Sequence, residues 1–201
     1  MVRTIPSFRG QVLAVNRVES LLRKVAEALD GAGVLYAVIG GNAVAAWVGQ
    51  ADRGAVRATK DVDILLRRSD LAAATAALDR RGFDRIEVFG VTVFVERADP
   101  LPSQGVHVVF ASELVRPGDP RPAPDLTDAV RADAGFRVLD LASLVRMKLE
   151  AFRRVDQVHV EDLLRLGLID ASVAGSLPPD LLDRLRHVRD TMEWQGPPPE
   201  F

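Results

Sequence analysis

Asp61 and Asp63 stand two residues apart in the run DVDILL at 61–66, a short apolar stretch that predicts a strand. Side chains alternate along a strand, so both carboxylates share one face, about 6.5–7 Å apart along the backbone. Two like charges on one face repel unless something neutralises them. A divalent cation with oxygen ligands does this, and Mg²⁺ is commonly held by one or two carboxylates plus substrate phosphates. Upstream, Gly40 and Gly41 follow a second apolar run, VLYAVI at 34–39, and precede the alanine-rich NAVAAWV at 42–48. Strand, glycine pair and helix in that order leave bare backbone amides at a helix N-terminus, a ready anion site. Taken singly these features are commonplace: a tight turn and two solvated aspartates. Their order and spacing describe a site for a metal–triphosphate. Neither a G-x-G-x-x-G nor a G-x-x-x-x-G-K-[ST] pattern is present, which sets aside the dinucleotide and P-loop alternatives.

The elements that must position these residues are legible in outline. Residues 20–29 read as an amphipathic helix closed by the glycines at 31 and 33. Residues 49–60 form a polar, glycine-containing loop of functional length. A helix is expected from Ser69 or Asp70 to Arg81, and a hairpin around Gly90 within 83–96. VHVVFA at 106–111 is a further strand, and the four prolines within 116–125 mark a surface seam. Beyond it the pattern turns helical over 141–153, 156–166 and 178–194. The expected fold class is α/β (α+β): a mixed-sheet core over 1–115, a helical subdomain over 126–195 packed on it, and a tail at 196–201.

Composition narrows the function. The 201 residues carry 26 Lys plus Arg against 28 Asp plus Glu, a net charge of −2, which argues against binding nucleic acid by bulk positive charge. No DNA-specific binding is expected. The absence of cysteine excludes disulfides, thiolate metal sites and cysteine nucleophiles, and 5% aromatic content argues against a single-strand stacking platform. The first residues do not read as a signal peptide, and the uncharged stretch 31–51 is broken by Gly40, Gly41 and Asn42, so no membrane contact and a cytoplasmic location are expected.

The segment with Gly40-Gly41, then Arg57-Ala-Thr59-Lys60-Asp61-Val-Asp63, resembles the minimal nucleotidyltransferases, especially the "GG-x-A … R-x-T-x-D-[IV]-D" group that includes AbiEii- and MenT-type toxins. The resemblance continues through Lys148-Leu-Glu-Ala-Phe-Arg153, Asp156, His159 and Asp162, and spans about 34–166. It implies transfer of a nucleoside monophosphate from an NTP to an acceptor hydroxyl, on tRNA, a protein or a small molecule such as an aminoglycoside. It also implies Mg²⁺ (or Mn²⁺) and, in a toxin–antitoxin setting, an antitoxin partner.

Carried over residue by residue, Gly40 and Gly41 would hold the triphosphate by their amides. Asn42, where many relatives have serine, would touch phosphate through its amide. Asp61 and Asp63 would bind the metal, and Arg57 and Thr59 would shape the mouth or touch phosphate. Lys148 resembles the helical lysine that reaches the nucleotide, with Asp156 or Asp162 the acid beside it. Relatives place a third carboxylate on a later strand, in a pattern like "[IV]-D-[VIL]-[LI]-F"; here the segment is Val106-His107-Val108-Val109-Phe110. A neutral His107 could take the acceptor proton and ligate metal, but supplies one negative charge fewer, which points to one Mg²⁺ or a preference for Mn²⁺.

Plainer readings stand beside these. His159 and His187 read as surface residues, Trp47 as core, and Arg184, Arg186 and Arg189 as the solvated face of the last helix. Arg153, Arg154 and Asp156 read as a surface ion-pair cluster of little worth. The competing function is a catalytically degenerate nucleotidyltransferase fold that binds a nucleotide or a partner protein; a metal-dependent phosphoesterase has less support, because only three histidines exist.

Overall fold

Short apolar runs set the sheet, and its central strands over 36–39 and 62–66 are buried on both faces. The computed structural model describes residues 8–57, 59, 61–127, 129–132 and 135–193, with side chains from Arg17 onward. Lys60, Trp194 and the 196–201 tail of the sequence reading lie outside the described residues.

The helix α1 (Phe8–Gly31) leads into strand β1 (Tyr36–Ile39) and helix α2 (Gly40–Ala51). After a 3₁₀ turn at Arg53–Ala55 come β2 (Val62–Leu66) and α3 (Leu71–Asp79). The hairpin β3 (Phe83–Val88) and β4 (Val91–Glu96) precedes β5 (Val106–Phe110). Two short strands follow, β6 (Val130–Arg131) and β7 (Arg137–Val138). The remainder is helical: α4 (Leu141–Ala151), α5 (Arg154–Arg165), α6 (Ala171–Gly175) and α7 (Pro179–Thr191).

The strands join in one mixed sheet, in the order β3-β4-β5-β2-β1-β7-β6. β1 runs antiparallel to β2 with Ile39 opposite Asp63, and β2 runs parallel to β5 with Asp63 opposite His107. This register brings the end of β1 and the starts of β2 and β5 to one edge. The α/β expectation is met, with a helical second half.

Several boundaries move for physical reasons. α1 begins at Phe8 rather than Ser20, and α2 begins at Gly40 and runs on to Ala51. β6 and β7 are too short to show an alternating pattern and fall at the start of the stretch 126–195, where a helical subdomain was expected. Phe152, in the left-handed conformation at φ 46°, ends α4 two residues early, so α5 starts at Arg154. α6, at five residues, lies below the length at which periodicity speaks.

The core is continuous from sheet to helical half. Val38, Ile64, Leu65, Leu144, Leu149, Leu163 and Leu185 are all in one buried cluster. α2 sits in its middle, touching β1, β2, α4 and α5, and Trp47 donates its indole N–H to the Leu139 carbonyl at 3.0 Å. Arg184 on α7 caps α4 through the Leu149 and Glu150 carbonyls at 2.7 and 3.0 Å, so it is structural rather than part of a solvated face.

Gly105, just before β5, allows β5 to approach β4 closely. A Cβ there would lie 2.7 Å from Val93 Cγ1 and 2.8 Å from the Phe94 carbonyl oxygen. Backbone cannot yield as a flexible side chain does. Gly105→Ala is expected to cost about 1–3 kcal/mol, the range for overpacking. Urea denaturation checks this, and a neutral result would mean the β4–β5 pair opens freely.

Candidate active site

The sheet edge is organised by Gly40. Its φ of +67° is a conformation that L side chains rarely adopt, and a Cβ there would overlap the Asp63 carboxylate at Oδ2. The chain can turn from β1 into α2 only because this residue has no side chain. The same absence lets Asp63 lie against the backbone. Gly41 meets a different demand. A Cβ on it would lie 2.9 Å from Thr59 Oγ1 and 3.6 Å from His159 Cε1, so the space beside it is taken by protein. Its missing side chain makes room for Thr59.

Asn42 is also redirected. It is buried, and its Nδ2 donates to the Asp61 carbonyl at 2.7 Å, fixing the approach to β2. Its amide is therefore committed to backbone rather than presented to a phosphate. No side chain caps α2, whose N-cap is Ile39, so the first-turn N–H groups gain nothing from that position.

Asp61 lies just ahead of β2 and is exposed; among the described residues its carboxylate makes no hydrogen bond or ion pair. Asp63 is half-buried and lies 3.6 Å from Nδ1 of His107, an ion-pair distance rather than a full hydrogen bond. His107 Nε2 lies 3.2 Å from the Pro102 carbonyl. A carbonyl oxygen only accepts, so Nε2 carries a hydrogen, and Nδ1 is left facing a carboxylate. Protonating Nδ1 resolves that encounter. The interaction with Asp63 accordingly raises the His107 pKa; burial opposes this, and the charges of Asp63 and Asp61 and the Pro102 bond add to it. The ring is therefore not free: Nε2 faces the Pro102 carbonyl and Nδ1 the Asp63 carboxylate.

Across the edge, Lys148 and Asp156 are buried together. Lys148 Nζ donates to Asp156 Oδ1 at 3.0 Å, and Arg153 Nε donates to Oδ2 at 2.7 Å. Burial pushes the Asp156 carboxyl up, but its bonds to Arg153 and Lys148 outweigh that and hold it below the ordinary carboxylate value. This is no surface cluster. Removing one partner of a buried pair strands a charge and typically costs about 3–5 kcal/mol.

Asp156, His159 and Asp162 recur every three residues along α5 on the side that packs on α2. Asp162 pairs in two-pronged fashion with Arg57, at 2.6 and 3.0 Å, tying the segment before β2 to the helical half. Arg57 is engaged there rather than pointed at a phosphate. His159, read from sequence as a surface residue, has its Nδ1 buried without a hydrogen-bond partner among the described residues. Burial and then Lys148 lower its pKa, partly offset by Asp156 and Asp162. Its three-residue spacing from both aspartates was the available signal.

No protein-family model and no curated protein matches the sequence. Solved structures do. A nucleotidyltransferase-like protein from Paracoccidioides brasiliensis aligns at TM-score 0.58 and 15% identity, over 87% of this chain and 88% of that one. ANT(2'')-Ia in complex with adenylyl-2''-tobramycin aligns at 0.52 and 17%, over 86% and 97%. The solution structure of that antibiotic-resistance factor gives 0.51 and 15%, over 86% and 91%. The fold is that of the nucleotidyltransferases. On a nucleotidyltransferase fold, the edge holding Gly40, Asp61, Asp63 and His107 is where the chain gathers its paired carboxylates.

Metal fit follows from the donor set. Among the described residues no group of three or more His, Asp and Glu is arranged to hold an ion alone. Two carboxylates, one of them unpaired, suit a hard cation whose remaining ligands are water and substrate phosphate. The pair fits Mg²⁺ arriving with a nucleotide better than a resident ion.

Two outcomes test this geometry. Gly40→Ala should cost more than the roughly 1–2 kcal/mol of a left-handed residue alone, and the excess should shrink in an Asp63→Ala background. Additive costs in that double-mutant cycle would remove the Gly40–Asp63 contact as the constraint. For His107, a folded pKa above the ordinary imidazole value of 6.5 means that the pair stabilises the fold below about pH 6.5. That contribution fades as pH rises through the folded value. An NMR titration should show the His107 ring titrating above 6.5, and lower in Asp63→Asn.

Proposed function

We propose that the protein transfers a nucleoside monophosphate from an NTP to an acceptor hydroxyl, with pyrophosphate leaving. The observation that carries this reading is the meeting of Asp61 and Asp63 with the side-chain-uncapped start of α2 at one edge of a nucleotidyltransferase-fold sheet. Mg²⁺, when bound, supplies positive charge against the phosphate oxygens during in-line displacement. Asp61 and Asp63 would hold it. The N–H groups opening α2 orient the phosphates, with the helix dipole favouring their charge.

In the reaction, the acceptor oxygen bonds to the α-phosphorus as the bond to the pyrophosphate oxygen breaks, and the acceptor proton passes to solvent water. Lys148 and Arg153, held by Asp156, supply the positive wall of the cleft, and Arg153 feels the charge of Asp63. His107 stands beside Asp63 in place of a third carboxylate, and the Asp63 carboxylate raises its pKa. Arg57 and Thr59 hold residues 52–60 against α5 and Gly41. An AbiEii- or MenT-type role, with tRNA, protein or small-molecule acceptor and an antitoxin partner, rests on the sequence motifs alone.

His107 also favours a second reading, a fold that binds nucleotide without transfer, because it removes a negative charge where relatives carry an acid. Incubation with each labelled NTP, Mg²⁺ or Mn²⁺, and cell extract separates the two. Transfer is expected, and Asp61→Asn with Asp63→Asn should abolish both transfer and calorimetric Mg–NTP binding. Binding without transfer supports the second reading; unchanged affinity in the double variant overturns the site.

A further inference from the structure

A cavity of about 650 Å³ lies between α1 and α2, closed by the turn Arg53–Ala55 and by Ala132 and Phe136. Small-molecule sites run from about 300 to 1,000 Å³, so this one is of ligand size. Its walls are apolar: Val18 and Leu22 from α1, Ala46 from α2, then Val56 and Phe136. α2 keeps the space open by presenting Ala45, Ala46 and Gly49 where larger residues would fill it. The cavity also reaches Asn42 and Thr59, which anchor Asp61 and pack on Gly41 respectively.

The rim decides the ligand's charge. Glu19, its acid, is already paired with Arg23 at 2.9 Å, and Arg57 is paired with Asp162. Arg53 lines the cavity and, among the described residues, its side chain makes no hydrogen bond or ion pair. Arg53, exposed at the rim, is therefore an uncommitted cation beside an apolar interior. An anion there gains a charge-assisted bond, and an apolar body gains burial. A polycation meets the reverse: two arginines and a single acid already in use.

We propose that this cavity binds a small organic molecule with an apolar body and one anionic group, the body lying between α1 and α2 and the anion on Arg53. The site does not rest on the nucleotide reading, because Arg53 and Ala46 take no part in it.

The probe is 1-anilinonaphthalene-8-sulfonate, titrated by fluorescence into the full chain, with ¹⁵N shifts mapped in parallel. One saturable site is expected, with shifts concentrated in residues 18–22, 42–50 and 53–57. Arg53→Gln should weaken it about tenfold, the loss of one bond of about 1.4 kcal/mol. Ala46→Trp should abolish it at an unchanged melting temperature, and tobramycin should not displace the probe. Shifts centred elsewhere, or full binding by folded Ala46→Trp, overturn the proposal. If Ala46→Trp does not fold, the wild-type shift map and Arg53→Gln decide. Mg–NTP binding is measured separately, so its absence leaves this result standing.

Discussion

The contact between Gly40 and Asp63 fixes the geometry on which the remaining site depends. A strand ending at Ile39 and a carboxylate on the neighbouring strand compete for the same space, and only a residue without Cβ lets both stay. Because Ile39 and Asp63 face each other in the ladder, the turn into α2 and the placement of the carboxylate are one event. His107 is drawn in by the next rung, where it meets Asp63 in parallel register. The cost of crowding a charge against backbone is offset by the imidazole beside it.

A second constraint holds the opposite wall. Asp156 is almost fully enclosed, and a bare carboxylate there would be expensive, so Lys148 and Arg153 must arrive together. Phe152 makes this possible by turning left-handed between α4 and α5, which lets a lysine from one helix and an arginine at the head of the next grip the same acid. The helical half is thereby joined to itself at the point where it faces the sheet edge.

What the sequence disclosed follows from what sequence patterns encode. The two aspartates, the glycine pair and the parent fold were legible, because strand alternation and a strand–glycine–helix order are local. The partners were not. Asn42 reaching the Asp61 carbonyl, Thr59 filling the space at Gly41 and Arg57 crossing to Asp162 are contacts between distant segments, and spacing carries no record of them. His159 was read as a surface residue, and Asp156 as part of a surface cluster, for a related reason: the face a helix buries depends on what packs on it, and α2 and α4 both pack on α5. β6 and β7 escaped notice because two residues cannot show a period.

The bridge from Arg57 to Asp162 spans 105 residues of chain. Contacts of such separation carry a large loop-closure cost and form only after the intervening elements have docked. During synthesis, the carboxylates of β2 leave the ribosome well before α5 exists to receive the segment that precedes them. Nascent chains can therefore present Asp61 and Asp63 while the wall bearing Asp162 is still unmade, and the cleft reaches its finished form only when α5 has joined the sheet.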